Sequence, residues 1–203
     1  MLRKSNQPRV DTEPPYDDDT AAALEALGPP LALFRALARR PDRARAIQGW
    51  GSYYLSRRCA LSLRHRELVI DRTTALCGAE YEWGVHIALL AAKAGLTDAQ
   101  LRSVTGGAAT DACWTDPADR AVLAAVDALH TRHDLTDDEW DALTAAVGPD
   151  GVVDLMLICG WYHAISYVVR AARLPGEPGA PTFDSVTWPD DDPQPRRAVP
   201  RRP

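Results

Sequence analysis

No C-x-x-C pair occurs among the four cysteines, Cys59, Cys77, Cys113 and Cys159. Their spacing therefore supports neither a zinc site nor a dithiol redox centre, and reduced, buried thiols in a cytoplasmic protein are the expectation. Basic charge is not in excess either. The formal net charge of -5 and pI near 5.5 argue against a nucleic-acid binder. The local pairs Arg39-Arg40 and Arg57-Arg58 read as solvated helix faces. The first residues, MLRKSNQPRVDTEPPYDDD, hold no apolar run, which excludes a signal peptide. The most apolar stretch, Leu155 to Val169, contains His163 and Ser166 and follows Asp154. It reads as a buried core helix, too short and too polar for a membrane span. No alternating strand pattern and no repeat at a period of about 20–50 residues stands out.

What remains is a globular composition, 46% hydrophobic and 25% charged, over a length suited to one domain. Residues 1–19 are rich in proline and charge and are expected to be a disordered tail. Residues 175–203 hold eight prolines and form a second, non-helical tail, in which Phe183, Val186 and Trp188 are apolar enough to dock on the body. Between them, 20–174 reads as an all-α, single-domain helical bundle. Gly95 ends one helix and Thr97-Asp98-Ala99-Gln100 opens the next as a capping box; Thr136-Asp137-Asp138-Glu139 is a second. Asp116-Pro117 places a cap before a first-turn proline. Gly148-Pro149-Asp150 breaks the chain before a long helix to about Arg173. Upstream, helices are expected at about 20–27, 30–40, 42–57, 63–77 and 80–94, the last two joined only by Gly78-Ala79.

That short join carries the chemistry. In the 80–94 helix Glu82 and His86 stand four residues apart and are neighbours on one face, beside the apolar stripe Tyr81, Val85, Ala88 and Ala92. A carboxylate so placed can orient an imidazole and raise its basicity. Glu67, in the preceding helix, can supply a second carboxylate across the Gly78 turn. Two carboxylates and an imidazole in unlike surroundings make a cofactor-free acid/base site; an exposed Glu–His pair of purely structural kind fits the same spacing.

The run Leu61-Ser62-Leu63-Arg64-His65-Arg66-Glu67-Leu68-Val69-Ile70, followed by Gly78-Ala79-Glu80-Tyr81-Glu82-Trp83-Gly84-Val85-His86, resembles the carboxymuconolactone decarboxylase family. So do Ala94-Gly95-Leu96-Thr97 and, further on, Cys159-Gly160-Trp161-Tyr162-His163 closing at Arg173-Leu174-Pro175. The resemblance implies the family's helical fold and an assembly of trimers or hexamers. The alkylhydroperoxidase D-type branch carries E-x(11)-C-x-x-C-x-x-x-H; Glu67 and His86 fall on its glutamate and histidine, whereas Ala79 and Glu82 occupy its two cysteine positions. A thiol peroxidase needs those thiols. The lactone decarboxylase branch carries E-x-x-x-H, which Glu82 and His86 match.

The resulting expectation is a cytoplasmic, cofactor-independent lyase or isomerase acting on a small acidic or enolisable carbonyl compound, with no metal. His86 would be the base, Glu82 its orienting group and Glu67 a second proton carrier. Arg72 can hold an acidic substrate, or pair with Asp71 or Glu80. Tyr81 and Trp83 can wall the pocket or pack in the core, and His163 can line the pocket or be a hydrogen-bonded core histidine. Trp50, Tyr53 and Tyr54 can cap the site or sit at a subunit contact, while His65, His130 and His133 read as surface residues. The rival functions are an atypical alkylhydroperoxidase-like enzyme using a single cysteine, and a non-catalytic small-molecule-binding protein of the same fold.

Overall fold

Six of the described helices start at a residue whose side chain or ring suits a first turn, and several end in left-handed backbone, as at Gly78 and Gly95. The computed structural model describes residues 7–186. Among them are α1 (Asp18–Leu27), α2 (Ala32–Ala38), α3 (Pro41–Tyr54), α4 (Leu63–Leu76), α5 (Glu80–Leu90), α6 (Asp98–Gly106), α7 (Pro117–Arg132) and α8 (Asp137–Ala171), with one 3-10 turn at Phe183–Ser185 and no strand. The protein is all-α. Thr97 and Thr136 form reciprocal capping boxes with Gln100 and Glu139, and Ser62 accepts from the amide of His65 at the head of α4. Each such cap is worth about 1 kcal/mol.

The join between α4 and α5 is a Schellman turn. The amide of Ala79 bonds to the carbonyl of Thr74 and that of Gly78 to Ala75, with Gly78 at φ 64°. A second one follows α5, where Leu96 bonds to Ala91 and Gly95, at φ 68°, to Ala92. Helical hydrogen bonding thus continues a few residues beyond Leu90, close to the expected end. The expected break at Gly148 is a sharp kink within one element, with φ 74° and ψ 167°. Pro149 then starts the second half of α8.

Helix α4 runs through the middle of the bundle: every residue from Arg66 to Ala75 is buried. It packs on α5, α6, α7 and α8. Leu68, Val69 and Ile70 meet Val104, Trp114, Val122, Val126, Leu143, Leu155 and Ile158 in the main core. A second cluster joins α2, Tyr81 and Val85 of α5 and the end of α8 around Ile165 and Val169. By length and composition alone α8 passes for a membrane span. Its 35 residues exceed the expected segment, and Leu155, Ile158, Ile165 and Val169 are buried against the rest of the bundle.

The described parts of both chain ends lie against the bundle. Helix α1 begins at Asp18, and part of the preceding segment is packed rather than free: Thr12 is buried, and Tyr16 donates to the carbonyl of Thr12. The amide and guanidinium of Arg9 bond to the carbonyls of Ala172 and Ala171 (2.8 and 3.2 Å). These carbonyls end α8 and have no partner inside the helix, so a donor arriving from elsewhere is stabilising. At the other end, Glu177 accepts from the amide of Ala32 (2.6 Å), the first residue of α2, and from the hydroxyl of Tyr81 (2.6 Å). Phe183 stacks on Trp83 at 5.0 Å; Trp188 lies outside the described residues.

Candidate active site

Glu67 leaves α4 two and a half turns before the Schellman turn, and His86 leaves α5 two turns after it. The reversal lays the two helices side by side and brings His86 Nδ1 to 2.8 Å from Glu67 Oε2. On the other side of the ring, the hydroxyl of Tyr162, from α8, stands 3.0 Å from Nε2. The phenol meets the imidazole edge-on, with ring centroids 5.2 Å apart. Glu82 Oε1 lies 3.6 Å from Nε2, an ion-pair rather than a hydrogen-bond distance. Arg66 Nε donates to the second oxygen of Glu67 at 3.3 Å. All of these side chains are buried, Glu67 completely.

The orienting role therefore sits elsewhere than expected. Glu67 makes the short contact that fixes the ring, and Glu82 faces Nε2. Burial alone would depress the pKa of His86, but the hydrogen bonds and charges of Glu67 and Glu82 outweigh it and raise the pKa to about 10. At neutral pH the ring is an imidazolium, the reverse of the expected resting base. Burial, and then the charges of Glu82 and Glu67, hold the Tyr162 phenol well above its ordinary pKa, so it stays protonated.

Asp71 was not anticipated. It lies one turn after Glu67 on the same face of α4 and is 1% exposed. Neither of its oxygens has a hydrogen-bond partner. Burial, reinforced by the charge of Glu67, raises its pKa well above the usual carboxylate range. Its buried carboxyl thus holds a proton more readily than an ordinary aspartate does, beside the Glu67–His86 pair. Glu67, Asp71 and His86 bring ligand atoms within 4.8 Å of one another and are able to hold a cation, although Glu67 and His86 already satisfy each other.

A small pocket opens above this group, lined by Trp50, Tyr54, Arg66, Ile158, Trp161 and Tyr162 among others. Glu67 and His86 lie behind Tyr162 and Arg66 rather than in the pocket wall. The aromatic cluster of Trp50, Tyr53 and Tyr54 is packed ring to ring, Trp50 against Tyr54 at 4.7 Å and against Trp161 at 5.6 Å.

The structure brings Glu67, Glu82 and His86 together and takes the other candidates elsewhere. Arg72 faces α6 and α7: it pairs with Asp127 (2.7 and 3.0 Å) and donates to the carbonyls of Ser103, Val104 and Gly107. It closes the C-terminus of α6 and is not a substrate clamp. Tyr81 donates to Glu177 and accepts from the amide of Leu33. Trp83 is fully buried under Phe183. His163 bonds through Nδ1 with the carbonyl of Cys159 (2.8 Å) and through Nε2 with His130 (2.9 Å). His130 is accordingly half-buried and paired rather than a surface residue. The arginine beside the acid/base group is Arg66, and the α8 residue is Tyr162, one position before the expected His163. One signal for Tyr162 was available: it falls on the stripe Leu155, Ile158, Cys159, Tyr162, Ile165, Ser166 and Val169 that α8 buries.

A family model described as the Carboxymuconolactone decarboxylase family matches residues 41–128. That segment, somewhat under half of the chain, is similar to this family. It runs from the start of α3 into α7 and carries Arg66, Glu67, Asp71, Glu82 and His86, but ends before Tyr162. No curated protein matches the chain. Within the decarboxylase/alkylhydroperoxidase-like superfamily, the two positions of the redox cysteine pair are here Ala79, buried in the second apolar cluster, and Glu82. The four cysteines are unpaired, and burial pushes each thiol above its ordinary pKa. Raised thiol pKa values disfavour a thiolate nucleophile.

Proposed function

We propose that this protein is a cofactor-independent acid/base enzyme, a lyase or isomerase, acting on a small acidic or enolisable carbonyl compound. One observation carries the reading: a buried His86 ring whose two nitrogens face Glu67 on one side and Tyr162 with Glu82 on the other. In this scheme His86 donates its Nε2 proton to the substrate carbonyl oxygen as negative charge develops there. Glu82 takes the proton from the adjacent carbon, and the C–H electron pair becomes the enolate double bond. Where the carbon bears a carboxylate instead, the C–C pair flows the same way and carbon dioxide leaves. Glu67 holds the ring and its charge, and Arg66, in the pocket wall, faces the substrate's acidic group. Tyr162 moves aside or hands its hydrogen bond to the substrate.

The test is proton exchange in deuterated water, followed by NMR on a panel of small keto acids and lactone acids. The wild-type protein should wash deuterium into at least one of them, and His86→Ala should slow this by about 10²–10⁴. Absence of exchange across the panel, or undiminished exchange in the variant, would reject the assignment.

We also propose that the chain forms a homo-oligomer through α8. Val153, Leu157, Gly160, Ala164 and Tyr167 form an exposed apolar seam spaced alternately four and three residues apart, with Tyr167 67% exposed. That spacing is the seam along which helices pair. Leu157→Lys should shift the mass measured by light scattering toward one chain.

A further inference from the structure

A second group of chemistry-bearing side chains comes from α4, α7 and α8 and is not used by the acid/base reading. Cys77 closes α4, His130 lies in the last turn of α7, and His163 stands midway along the second half of α8. One ligand atom from each, the Cys77 thiol sulfur and a ring nitrogen from either histidine, falls within 4.8 Å of the other two. The two rings approach through nitrogen, His130 Nδ1 to His163 Nε2 at 2.9 Å, with centroids 5.1 Å apart.

The surroundings set up this group for coordination. His163 Nδ1 lies 2.8 Å from the carbonyl oxygen of Cys159, an acceptor only, so Nδ1 carries the proton. That leaves Nε2 with its lone pair toward His130 and Cys77. A backbone carbonyl that fixes the tautomer of a ligating histidine is the usual support behind a metal-bound imidazole. Ligand atoms around a four-coordinate zinc ion stand about 3–4 Å apart, since each bond is roughly 2.0–2.3 Å. The two ring nitrogens already stand at 2.9 Å and the sulfur lies within 4.8 Å of both, so side-chain adjustment rather than helix movement can close the set on one ion. A thiolate with two imidazoles suits a borderline ion such as zinc and suits magnesium or calcium poorly.

We infer that Cys77, His130 and His163 form a binding site for a zinc-class divalent ion, which clips α4, α7 and α8 together. Binding forms a sulfur–metal bond at Cys77 and releases its thiol proton to solvent; nothing is oxidised or reduced. Three protein ligands leave a tetrahedral ion one further position, for water or a small anion. The cysteine spacing concealed this site because each ligand comes from a different helix and the sequence between them is long. The inference is independent of the proposed enzymatic reaction.

Cobalt(II) is the probe, added to the full-length protein after treatment with a chelator. A stoichiometric near-ultraviolet thiolate-to-cobalt charge-transfer band with intense visible bands is expected, and zinc should bleach both. Cys77→Ser should abolish the charge-transfer band, and His163→Ala should weaken cobalt affinity at least tenfold, with helix content checked by circular dichroism. His130→Asn, at a half-buried ring, is the second variant should either of these fail to fold. Glu67→Gln should leave the bands unchanged, which separates this site from the Glu67–Asp71–His86 group. Zinc should raise the melting temperature of the wild-type protein by several degrees and that of Cys77→Ser by much less. A wild-type protein that gives no thiolate band, or a band that survives Cys77→Ser, overturns the inference and leaves a simple His130–His163 hydrogen bond.

Discussion

Replacing Glu67 by Gln removes one negative charge and keeps the shape of the side chain. In the wild-type protein Glu67 and Glu82 together overcome burial and bring His86 from 6.5 to about 10. That difference corresponds to on the order of 5 kcal/mol between the two protonation states. The folded-state pKa is raised, so this contribution is fully present below pH 6.5 and is lost as pH rises toward 10. Asp71 acts in the same direction, since a carboxyl with a raised pKa in the fold costs stability once it must ionise. Wild-type stability should therefore fall by a few kcal/mol across the alkaline range. In Glu67→Gln the nearer counter-charge is gone and burial dominates, so His86 should titrate near or below neutrality and the alkaline loss should flatten. Urea unfolding from pH 6 to 10, with the His86 ring followed by NMR in both proteins, measures this directly. A wild-type His86 that titrates near its ordinary value, or identical pH profiles in the two proteins, would refute the electrostatic argument.

Tyr162→Phe deletes the hydroxyl at Nε2 and should lower turnover about ten- to a hundredfold, the worth of one hydrogen bond to a charged group, with a small effect on melting temperature. Arg72→Ala removes a buried guanidinium that holds three carbonyls of α6 and its end and pairs with Asp127, and should destabilise by about 3–5 kcal/mol in chemical denaturation, while KM for an acidic substrate stays unchanged; a selective rise in KM would restore the substrate-clamp reading. At Gly84 an added Cβ would stand 2.4 Å from the carbonyl oxygen of Pro181. Gly84→Ala should thus push the C-terminal segment off α5, cost about 1–3 kcal/mol and alter the fluorescence of Trp83, which Phe183 covers.

The helix plan is legible in the sequence wherever a local rule decides it. Capping boxes at Thr97 and Thr136 and the left-handed glycines at Gly78 and Gly95 depend only on neighbours within a few residues, and the elements start or turn there. The Glu67–His86 contact is legible for the same reason, because a two-residue reversal leaves the two helices little choice of partner. Arg72 and Arg66 show where this stops. Both are arginines on α4 near Glu67, and only the packing of α6 and α7 against one face of that helix separates the structural one from the one at the pocket. Glu67, not Glu82, makes the closer contact for a related reason: four-residue spacing on one helix brings Glu82 near the ring, yet the shorter hydrogen bond comes from across the turn. The meeting of Cys77, His130 and His163 depends on the packing of three helices and leaves no mark in any one segment.

The matched stretch ends in α7, so the imidazole and its carboxylates ride on one helical hairpin while the phenol that touches Nε2 arrives from a helix beyond it. The Glu67–His86 pair and the phenol beside it thus come from lengths of chain inside and outside the matched stretch. Exchanges at position 162 and along its helix offer a route to new substrates that leaves the hairpin untouched.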